Sequence, residues 1–565
     1  MPKSARVQNP LIVQSDRTLL VEASHPAYDE VRQQLCHFAE RVKSPAYLHT
    51  YRITPYTLWN AAARNLSAEW VIERLENYSK LPVPPQVVSE IKQLMNRYGM
   101  LRFEPASACS FYLTSVEAGG LERILQHIPL HWETISSCDK DKICLPLQIR
   151  GIVKQACMRA GYPVIDEIGF QEGEPLSIRL SANCEKGSFR LRDYQRQAVE
   201  TFYCEGSVSG GNGIVVLPCG AGKTVVGIGV MEKVGKATLI LTPSATSAKQ
   251  WIREILDKTG LPPELIGEYT ATDKQVRPVT VTTYQMMTHR TEKEGPFHHM
   301  KIFSKRDWGL IIYDEVHLLP APVFRATADL QAKRRLGLTA TLIREDGREG
   351  EVFSLIGPKK FEVSWGELEK QGWISEAVCV EIRVPFSKEE RDRYHKANQR
   401  QKYRLAAENE AKYTVIDQLL KQHNGEQILI IGQYLNQLRM IARRYHAPLI
   451  TGHMKQDKRD EWFSRFRRGE VPILVVSKVA NFAVDLPDAS IAIQVSGAFG
   501  SRQEEAQRLG RILRPKQTEK KVYFYHVVTS DTIDQEYAWN RQLFLAEQGY
   551  HYQIREVREV KECGS

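Results

Sequence analysis

The sequence lacks the patterns that mark membrane, secreted and metal-cluster proteins. Its ten cysteines are scattered over 565 residues without one Cys-x-x-Cys pair, which is typical of free thiols in a reducing compartment. No apolar run is long enough to span a bilayer, and the amino-terminal residues contain no apolar signal-peptide core. We therefore expect a soluble, cytoplasmic protein without a membrane partner.

Charge of one sign is not in large excess either. Lys and Arg number 77 against 67 Asp and Glu, and the resulting net charge of +10 suits a polyanionic partner without requiring one. At about 150 residues per domain, the length of the chain predicts three or four domains.

A glycine loop lies between two apolar runs, at residues 214–217 and 225–228. This order predicts a strand, a loop and a helix, whose backbone N–H groups bind phosphate. Lys223 would contact the β- and γ-phosphates of ATP, and the Thr224 hydroxyl would bind Mg²⁺. The usual pattern has a glycine where this chain has Leu217. The candidate nucleotide-binding residues of the loop are Gly220, Ala221, Gly222, Lys223 and Thr224.

A second chemical signal is an acidic pair at the end of the apolar run 310–313. Asp314 would hold Mg²⁺, and Glu315 would orient the water that attacks the γ-phosphate. The glycine loop alone is also typical of an ordinary strand-to-helix turn. Together the two signals predict an NTP-hydrolysing site.

Two series of β-rich runs, each alternating with helical segments, predict the fold. Such alternation is typical of parallel sheets whose strand carboxyl ends carry the ligands. We therefore predict an α/β chain with two parallel-sheet lobes in tandem. The runs are residues 238–242, 279–283, 310–313 and 336–339 in the first series, and 428–431, 473–476, 491–495 and 522–525 in the second.

The first 125 or so residues are mixed in pattern. Residues 11–13 and 19–22 predict short strands, and residues 66–75 predict a helix capped by Ser67. The short helices in this part fit either a helix-turn-helix fragment or a helical docking module.

Late in the chain, a Gln-x-x-Gly-Arg-x-x-Arg stretch begins at Gln507. Arg511 and Arg514 lie three residues apart, so one helix face can present both guanidinium groups. Such a pair would stabilise charge on the transferring phosphoryl group.

A charged segment at about residues 385–415 combines basic residues with Tyr394, His395 and Tyr403. Basic side chains such as Lys402 neutralise phosphates, while aromatic rings can stack on unpaired bases. Solvated helix faces have a similar composition, so both interpretations stay open at this segment.

The order of these short sequences resembles that of superfamily 2 helicases, and the chain is identified as a member of the xeroderma pigmentosum group B (XPB) type. An Arg-Glu-Asp loop at residues 344–346, shortly after Thr-Ala-Thr at 339–341, is typical of that type. The resemblance implies that Arg192 and Gln195 contribute to nucleotide binding, with Gln195 near adenine. It also implies that Thr339 and Thr341 couple hydrolysis to lobe movement. The sequences that carry the resemblance are residues 191–195, 220–224, 241–243, 282–284, 314–317, 338–346, 477–479, 484–487 and 507–514.

The resemblance covers nearly the whole chain and implies two RecA-like lobes, a helical thumb-like insertion and an N-terminal α+β extension. The implied division is an extension at 1–139, a damage-recognition-like module at 140–188, lobe 1 at 189–365, lobe 2 at 366–550 with the thumb-like insertion at about 385–415, and a C-terminal tail at 551–565.

The function implied by the resemblance is that of an ATP- and Mg²⁺-dependent DNA helicase of 3′-to-5′ polarity. It would unwind DNA in repair, acting on single-stranded, forked or duplex DNA, with a nuclease or another repair protein as a partner. Two alternatives stay open: a duplex translocase that does not separate strands, and an ATP-driven switch that opens DNA by one conformational step. The candidate DNA-binding residues are Thr242, Thr283, Arg344, Glu345, Asp346, Lys402 and Lys478.

The resemblance implies that the Arg-Glu-Asp loop acts as a wedge between the separating strands. A wedge must hold a fork open against stacking of about 1.4 kcal/mol per base-pair step. Replacing Arg344, Glu345 and Asp346 together by alanine should therefore reduce unwinding of a forked duplex far more than DNA-stimulated ATPase. Equal losses in both assays, or unwinding at the parent rate, would argue against a wedge.

Overall fold

The computed structural model divides the chain into two compact units, Met1–Leu217 with Gly222–Glu362, and Pro218–Ala221 with Val363–Ser565. The structure describes all residues except 1–8, 36, 44–47, 108, 127–136, 140, 169–171, 182, 185–186, 208–209, 219, 291–297, 320–332, 341–348, 364, 374–375, 478–488, 498–520, 539–550 and 558–565.

The first unit begins with a four-stranded antiparallel sheet covered by helices. Both predicted strands are present, at Leu11–Val13 and Thr18–Glu22. The predicted helix is present too, and the Ser67 side chain caps it by accepting a hydrogen bond from the Trp70 N–H at 3.1 Å. The strands are β1 (Leu11–Val13), β2 (Thr18–Glu22), β3 (Glu40–Lys43) and β4 (Leu48–Arg52), in the spatial order β1-β2-β4-β3. The helices are α1 (Tyr28–Leu35), α2 (Pro55–Ala63), α3 (Ala68–Tyr78) and α4 (Pro85–Arg97).

Helix α2 docks on residues of the first lobe. Trp59 packs in an apolar cluster with Met158 and Phe353, and the Asn60 Oδ1 accepts a hydrogen bond from the Lys359 N–H at 2.9 Å. These contacts favour the docking interpretation of the N-terminal helices over a helix-turn-helix fragment.

A five-stranded sheet follows and crosses the boundary predicted between residues 139 and 140. In its antiparallel ladder Phe111 stands opposite Leu145, so backbone hydrogen bonds join the two sides of that boundary. The change of composition near residue 140 therefore lies inside one sheet. Its strands are β5 (Leu101–Pro105), β6 (Ser110–Ser115), β7 (Ser137–Asp139), β8 (Lys142–Pro146) and β9 (Val164–Asp166), in the order β7-β8-β6-β5-β9, with helices α5 (Gly120–Leu125) and α6 (Arg150–Arg159). A short hairpin of β10 (Asn183–Cys184) and β11 (Gly187–Ser188) comes next.

The first lobe is a seven-stranded parallel sheet, as predicted. The strands are β12 (Asn212–Val216), β13 (Thr238–Thr242), β14 (Ile266–Tyr269), β15 (Val279–Thr283), β16 (Leu310–Asp314), β17 (Arg334–Thr339) and β18 (Lys359–Glu362), in the order β14-β15-β13-β16-β17-β12-β18. The central strands β13, β15, β16 and β17 are buried at every position except Asp314, as expected for a parallel sheet covered on both faces. The helices are α7 (Asp193–Tyr203), α8 (Lys223–Val234), α9 (Ala245–Lys258), α10 (Tyr284–Thr288) and α11 (Glu349–Leu355).

The second unit holds another seven-stranded parallel sheet, so the prediction of two tandem α/β lobes is confirmed. Its strands are β19 (Ala377–Val384), β20 (Ile428–Gly432), β21 (Leu449–Ile450), β22 (Ile473–Ser477), β23 (Ile491–Gln494), β24 (Val522–Thr529) and β25 (His551–Glu556), in the order β21-β22-β20-β23-β24-β19-β25. Its helices are α12 (Trp365–Lys370), α13 (Lys388–Lys396), α14 (Gln399–Ala407), α15 (Ala411–Gln422), α16 (Leu435–Arg444) and α17 (Gln456–Arg467).

The segment assigned to a C-terminal tail begins as a strand of this sheet. Residues 551–556 pair in parallel with β19 and form the sheet edge. This short run follows residues without a strand pattern, and nothing in the sequence indicates that it pairs with β19.

A buried cluster of charges joins the five-stranded sheet to the first lobe. Arg150 donates to both carboxylate oxygens of Asp166, at 3.0 and 2.6 Å, and Lys154 Nζ lies 3.1 Å from the same carboxylate. Arg335 of β17 is fully buried and lies within electrostatic range of this group. Burial opposes the charge of Asp166, but Lys154 and Arg150 lower its pKa to about 2. The Asp166 carboxylate therefore pairs with two buried cations and interacts electrostatically with a third.

Removing that carboxylate should destabilise the first unit. Asp166→Asn leaves Arg150, Lys154 and Arg335 buried without their counter-ion, a change that costs about 3–5 kcal/mol. Lys154→Met is the matched control, because it leaves the Arg150–Asp166 pair intact and should cost much less. Thermal unfolding of both variants beside the parent measures the difference, and equal stabilities would contradict this role of Asp166.

Candidate nucleotide-hydrolysis site

The predicted phosphate loop connects β12 to α8, as the sequence indicated. Gly220 and Gly222 have φ angles of 83° and 80°, in the left-handed region that favours glycine. Helix α8 begins at Lys223, so its N-terminal N–H groups lie next to the loop. Leu217, where the usual pattern has glycine, is fully buried, and its N–H donates to the Thr339 carbonyl at 2.9 Å.

Gln195 contacts this loop directly. A Cβ at Gly222 would lie 2.6 Å from Gln195 Nε2, so a larger residue would displace that amide as well as strain the backbone at φ 80°. The Gln195 Oε1 accepts a hydrogen bond from the Arg192 N–H at 3.0 Å, which fixes the amide at the start of α7. The structure thus brings Arg192, Gln195 and the glycine loop together.

The acidic pair stands at the carboxyl end of β16. Lys223 Nζ lies 2.7 Å from the Glu315 Oε1, and both side chains are largely buried. Glu315 has φ 49° and ψ 55°, a left-handed conformation that costs a non-glycine residue about 1–3 kcal/mol. Such strain is typical of functional sites, and here it turns the Glu315 carboxylate toward Lys223.

The two neighbouring carboxylates differ in their electrostatic surroundings. Burial raises the pKa of Asp314, and the adjacent Glu315 charge raises it further. Burial also opposes the charge of Glu315, but Lys223 and His317 outweigh it and lower the Glu315 pKa. Glu315 is therefore held ionised, while Asp314 is a carboxylate whose charge a nearby cation would stabilise.

Trp251 and Tyr284 are site residues that the sequence analysis did not identify as such. Trp251 Nε1 donates to the Asp314 Oδ2 at 3.0 Å, and the Tyr284 hydroxyl donates to the Asp314 carbonyl at 2.8 Å. Tyr284 follows Thr283 in a stretch that carried the resemblance. Trp251 lies on α9, outside the stretches that carried the resemblance. The packing of α9 on the sheet brings it to Asp314.

His317 links the acidic turn to the neighbouring strand. Its Nδ1 lies 2.7 Å from the Thr339 hydroxyl and 3.5 Å from the Glu315 Oε2. Thr339 ends β17, so the ends of two adjacent strands are tied through one imidazole. Thr341, the proposed partner of Thr339, lies outside the described residues.

The predicted DNA-binding threonines are buried, and their hydroxyls bond backbone groups. The Thr242 hydroxyl donates to the Thr282 carbonyl at 2.9 Å, and the Thr283 side chain caps α10 by accepting from the Met286 N–H at 3.1 Å. Both residues do stand at strand carboxyl ends. A role in contacting phosphates stays a prediction for them, and the structure gives their hydroxyls a structural role.

In the thumb-like insertion, the two tyrosine rings are buried, which disfavours their stacking on bases. Tyr394 and Tyr403 are 8 and 1% exposed. The Tyr394 hydroxyl accepts from the Ile533 N–H at 2.9 Å, and the Tyr403 hydroxyl donates to the Gly497 carbonyl. Lys402 is half-buried, with its Nζ 5.4 Å from the centroid of the Tyr394 ring. The aromatic positions of this segment thus pack its helices onto the second lobe.

Several predicted site residues lie outside the described residues, namely Arg344, Glu345, Asp346, Lys478, Gln507, Arg511 and Arg514. Among the described residues there is no group of three or more His, Cys, Asp or Glu side chains that could hold a metal ion. No helix in the described part of the chain is long and apolar enough to cross a membrane.

The fold and the site define a P-loop NTPase with two tandem parallel-sheet lobes. Three family models match the chain: a type III restriction enzyme res subunit at residues 188–344, an ERCC3/RAD25/XPB C-terminal helicase at 368–563, and a helicase conserved C-terminal domain at 11–131.

Similar proteins span nearly the whole chain. The "DNA 3'-5' helicase XPB" of Mycobacterium tuberculosis is 49% identical over 551 residues, covering 98% of each chain. The protein of the same name from Kineococcus radiotolerans is 48% identical, covering 98% of this chain and 97% of the relative. A transcription and DNA repair factor IIH helicase/translocase subunit XPB from Encephalitozoon cuniculi is 31% identical, covering 98% of this chain and 84% of the relative. This chain belongs to the XPB family of DNA helicases.

The hydrogen bond from Trp251 to Asp314 generates a test of the site. Trp251→Phe keeps an aromatic ring but removes the Nε1 donor, so Asp314 loses a partner that orients its carboxylate. Partners of this kind typically contribute about 10–100-fold to metal affinity or activity. We expect the apparent Mg²⁺ requirement of the ATPase to rise by a factor in that range. An unchanged Mg²⁺ titration would contradict an orienting role for Trp251.

Proposed function

We propose that the chain is an ATP-dependent DNA helicase that moves 3′ to 5′ and serves DNA repair. The observation that carries the ATPase part is the meeting of Lys223, Glu315 and Asp314 at the strand carboxyl ends, where parallel sheets bind ligands. Membership of the XPB family supports the DNA helicase part.

We further propose that the Lys223–Glu315 contact is exchanged during the reaction. When ATP binds, the Lys223 ammonium would move to the β- and γ-phosphates. The Glu315 carboxylate, released from the lysine, would then accept a hydrogen bond from the attacking water and orient it in line with the γ-phosphate. The N–H groups at the start of α8 would bind the phosphates throughout.

The Thr224 hydroxyl and the Asp314 carboxylate fit Mg²⁺, because both are hard oxygen ligands of the kind that ion prefers. Asp314 is also a carboxylate whose ionised form an added cation would stabilise, since burial raises its pKa. Bound Mg²⁺ would neutralise charge on the phosphates. Mg²⁺ commonly needs only one or two protein ligands beside the phosphates and water, so these two residues suffice.

Three parts of the proposal rest on residues outside the described part of the chain. Gln507, Arg511 and Arg514 would approach the γ-phosphate, and the loop of Arg344 to Asp346 would separate strands. Lys478 would contact phosphates without reading sequence. A nuclease or another repair protein as partner is likewise a proposal.

A second candidate is a duplex translocase that moves along DNA without separating its strands. The Encephalitozoon cuniculi relative is described as a helicase/translocase subunit, which favours testing both activities. Strand displacement on a forked duplex reports unwinding, whereas displacement of a triplex-forming strand reports translocation alone. A chain that displaces only the triplex strand would support the second candidate.

Two substitutions test the proposed roles at the phosphates. Lys223→Ala should abolish hydrolysis and weaken ATP binding, because the cation for the phosphates is lost. Glu315→Gln keeps the shape of the side chain but not its charge, so it should still bind ATP while turnover falls by roughly 10²–10⁴-fold. DNA-stimulated ATPase and ATP affinity should be measured together. Near-normal turnover in Glu315→Gln would refute its assignment.

A further inference from the structure

A group of cationic side chains surrounds the carboxyl end of β14. The Tyr269 hydroxyl lies 3.0 Å from the His299 Nδ1, and the ring centroids of His289 and His299 are 6.0 Å apart. Lys305 Nζ lies 5.6 Å from the Tyr269 ring centroid, and Lys274 forms an isolated β-bridge with Tyr269. Tyr269 is 5% exposed and so acts as the buried anchor around which the others gather. With the exposed His298, these residues form what we call the β14 cluster.

The cations of the β14 cluster make no ion pair with any carboxylate that the structure describes. The two nearby acids in sequence are engaged locally, since the Glu268 carboxylate accepts from the Thr270 hydroxyl at 2.9 Å and the Asp273 carboxylate accepts from the Lys274 N–H at 2.8 Å. Two other cations of the first lobe differ from them, because each has a carboxylate partner. Lys236, before β13, pairs with Glu172 at 2.9 Å, and Arg306, before β16, pairs with Glu174 at 2.5 Å.

The β14 cluster lies beside strand ends that carry Thr242 and Thr283, two of the predicted DNA-binding residues. In the parallel register Tyr269 stands beside Thr282, and Thr283 stands beside Thr242. The carboxyl ends of β13, β15 and β14 therefore follow one another along one edge. Lys274, His289, His298 and Lys305 are exposed and form no ion pair with a carboxylate of the described residues, and they gather near the residue that ends β14. Such a group suits the repeating negative charge of a phosphate backbone.

We propose that the β14 cluster binds the phosphate backbone of DNA and extends the contact surface of the first lobe by one strand beyond Thr283. The inference rests on the proposed DNA helicase function. It adds a set of contacts that includes three imidazole side chains, those of His289, His298 and His299. The proposed contact is to phosphates, and phosphate contacts carry no preference for base sequence.

The pH dependence has a definite sign. Burial lowers the pKa of His299, and the charges of Lys274, His289, His298 and Lys305 lower it further. The Tyr269 hydroxyl, 3.0 Å from the His299 Nδ1, is a further polar group beside the His299 ring. A bound phosphate adds negative charge and raises the pKa of His299, so DNA binding takes up protons. The affinity for DNA should therefore rise as the pH falls from 8 to 6, at constant ionic strength.

The first arm of the test measures salt dependence. The slope of log K against log salt concentration is about 0.7–0.9 for each phosphate contact. Lys274→Gln combined with Lys305→Gln should therefore reduce the slope of the full-length chain by roughly 1.4–1.8 on a labelled forked duplex. The matched control is Lys233→Gln combined with Lys236→Gln, which removes the same charge near the opposite edge of the sheet and should leave the slope unchanged.

The second arm replaces His289, His298 and His299 by glutamine. This variant should lose most of the difference in DNA affinity between pH 6 and pH 8 that the parent shows. ATPase without DNA should match the parent in both cluster variants, since neither touches the nucleotide site.

The possible outcomes separate two failures. A parent that binds DNA, with cluster variants that keep its salt slope and its pH dependence, would overturn this inference and leave the proposed function intact. A parent that binds no DNA would overturn the proposed function and this inference together. Equal loss of slope in the lysine control would show a general charge effect and would also refute the β14 cluster as a site.

Discussion

The ion pair between Lys223 and Glu315 is the contact on which the nucleotide site depends. Both charges are buried, and a buried charge is stable only while it has a partner. The pair holds the start of α8 against the acidic turn after β16, and the strained backbone of Glu315 is retained because it makes this contact possible. Lys223 can leave Glu315 when a bound phosphate offers it a stronger negative charge.

Strand β17 connects this site to the N-terminal part of the chain. At its carboxyl end, Thr339 accepts the Leu217 N–H through its carbonyl and contacts His317 through its hydroxyl. Near its amino end, the buried Arg335 faces the cluster of Arg150 and Asp166. The six-residue strand β17 therefore bonds to the nucleotide site at one end and lies within electrostatic range of Asp166, on β9 of the five-stranded sheet, near the other.

Much of the fold could be predicted from the sequence because it depends on local patterns. β-rich runs placed the nine predicted strands of the lobes, and the glycine loop and acidic pair placed Lys223, Asp314 and Glu315. Ser67 could be recognised as a helix cap because capping involves residues three apart in sequence. These features require no knowledge of which distant segments meet.

The features that could not be predicted depend on distant partners. Trp251 has no sequence signal for its bond to Asp314, because that bond follows from how α9 packs on the sheet. Tyr394 and Tyr403 looked available for stacking, since burial by the second lobe cannot be recognised from alternating basic and aromatic residues. For the same reason the sequence did not show that one sheet continues across residue 140, or that residues 551–556 form strand β25. Both features are defined by β-pairing over long separations.

The exchange of Lys223 between Glu315 and the phosphates is the central claim, and nucleotide affinity tests it most directly. The measurement is the Kd of a non-hydrolysable ATP analogue for the parent, Glu315→Gln, Lys223→Ala and the double variant. If Lys223 must leave Glu315 to reach the phosphates, Glu315→Gln should bind the analogue more tightly than the parent, and this gain should vanish when Lys223 is alanine. Equal affinity of the parent and Glu315→Gln, or a gain that persists without Lys223, would contradict the account.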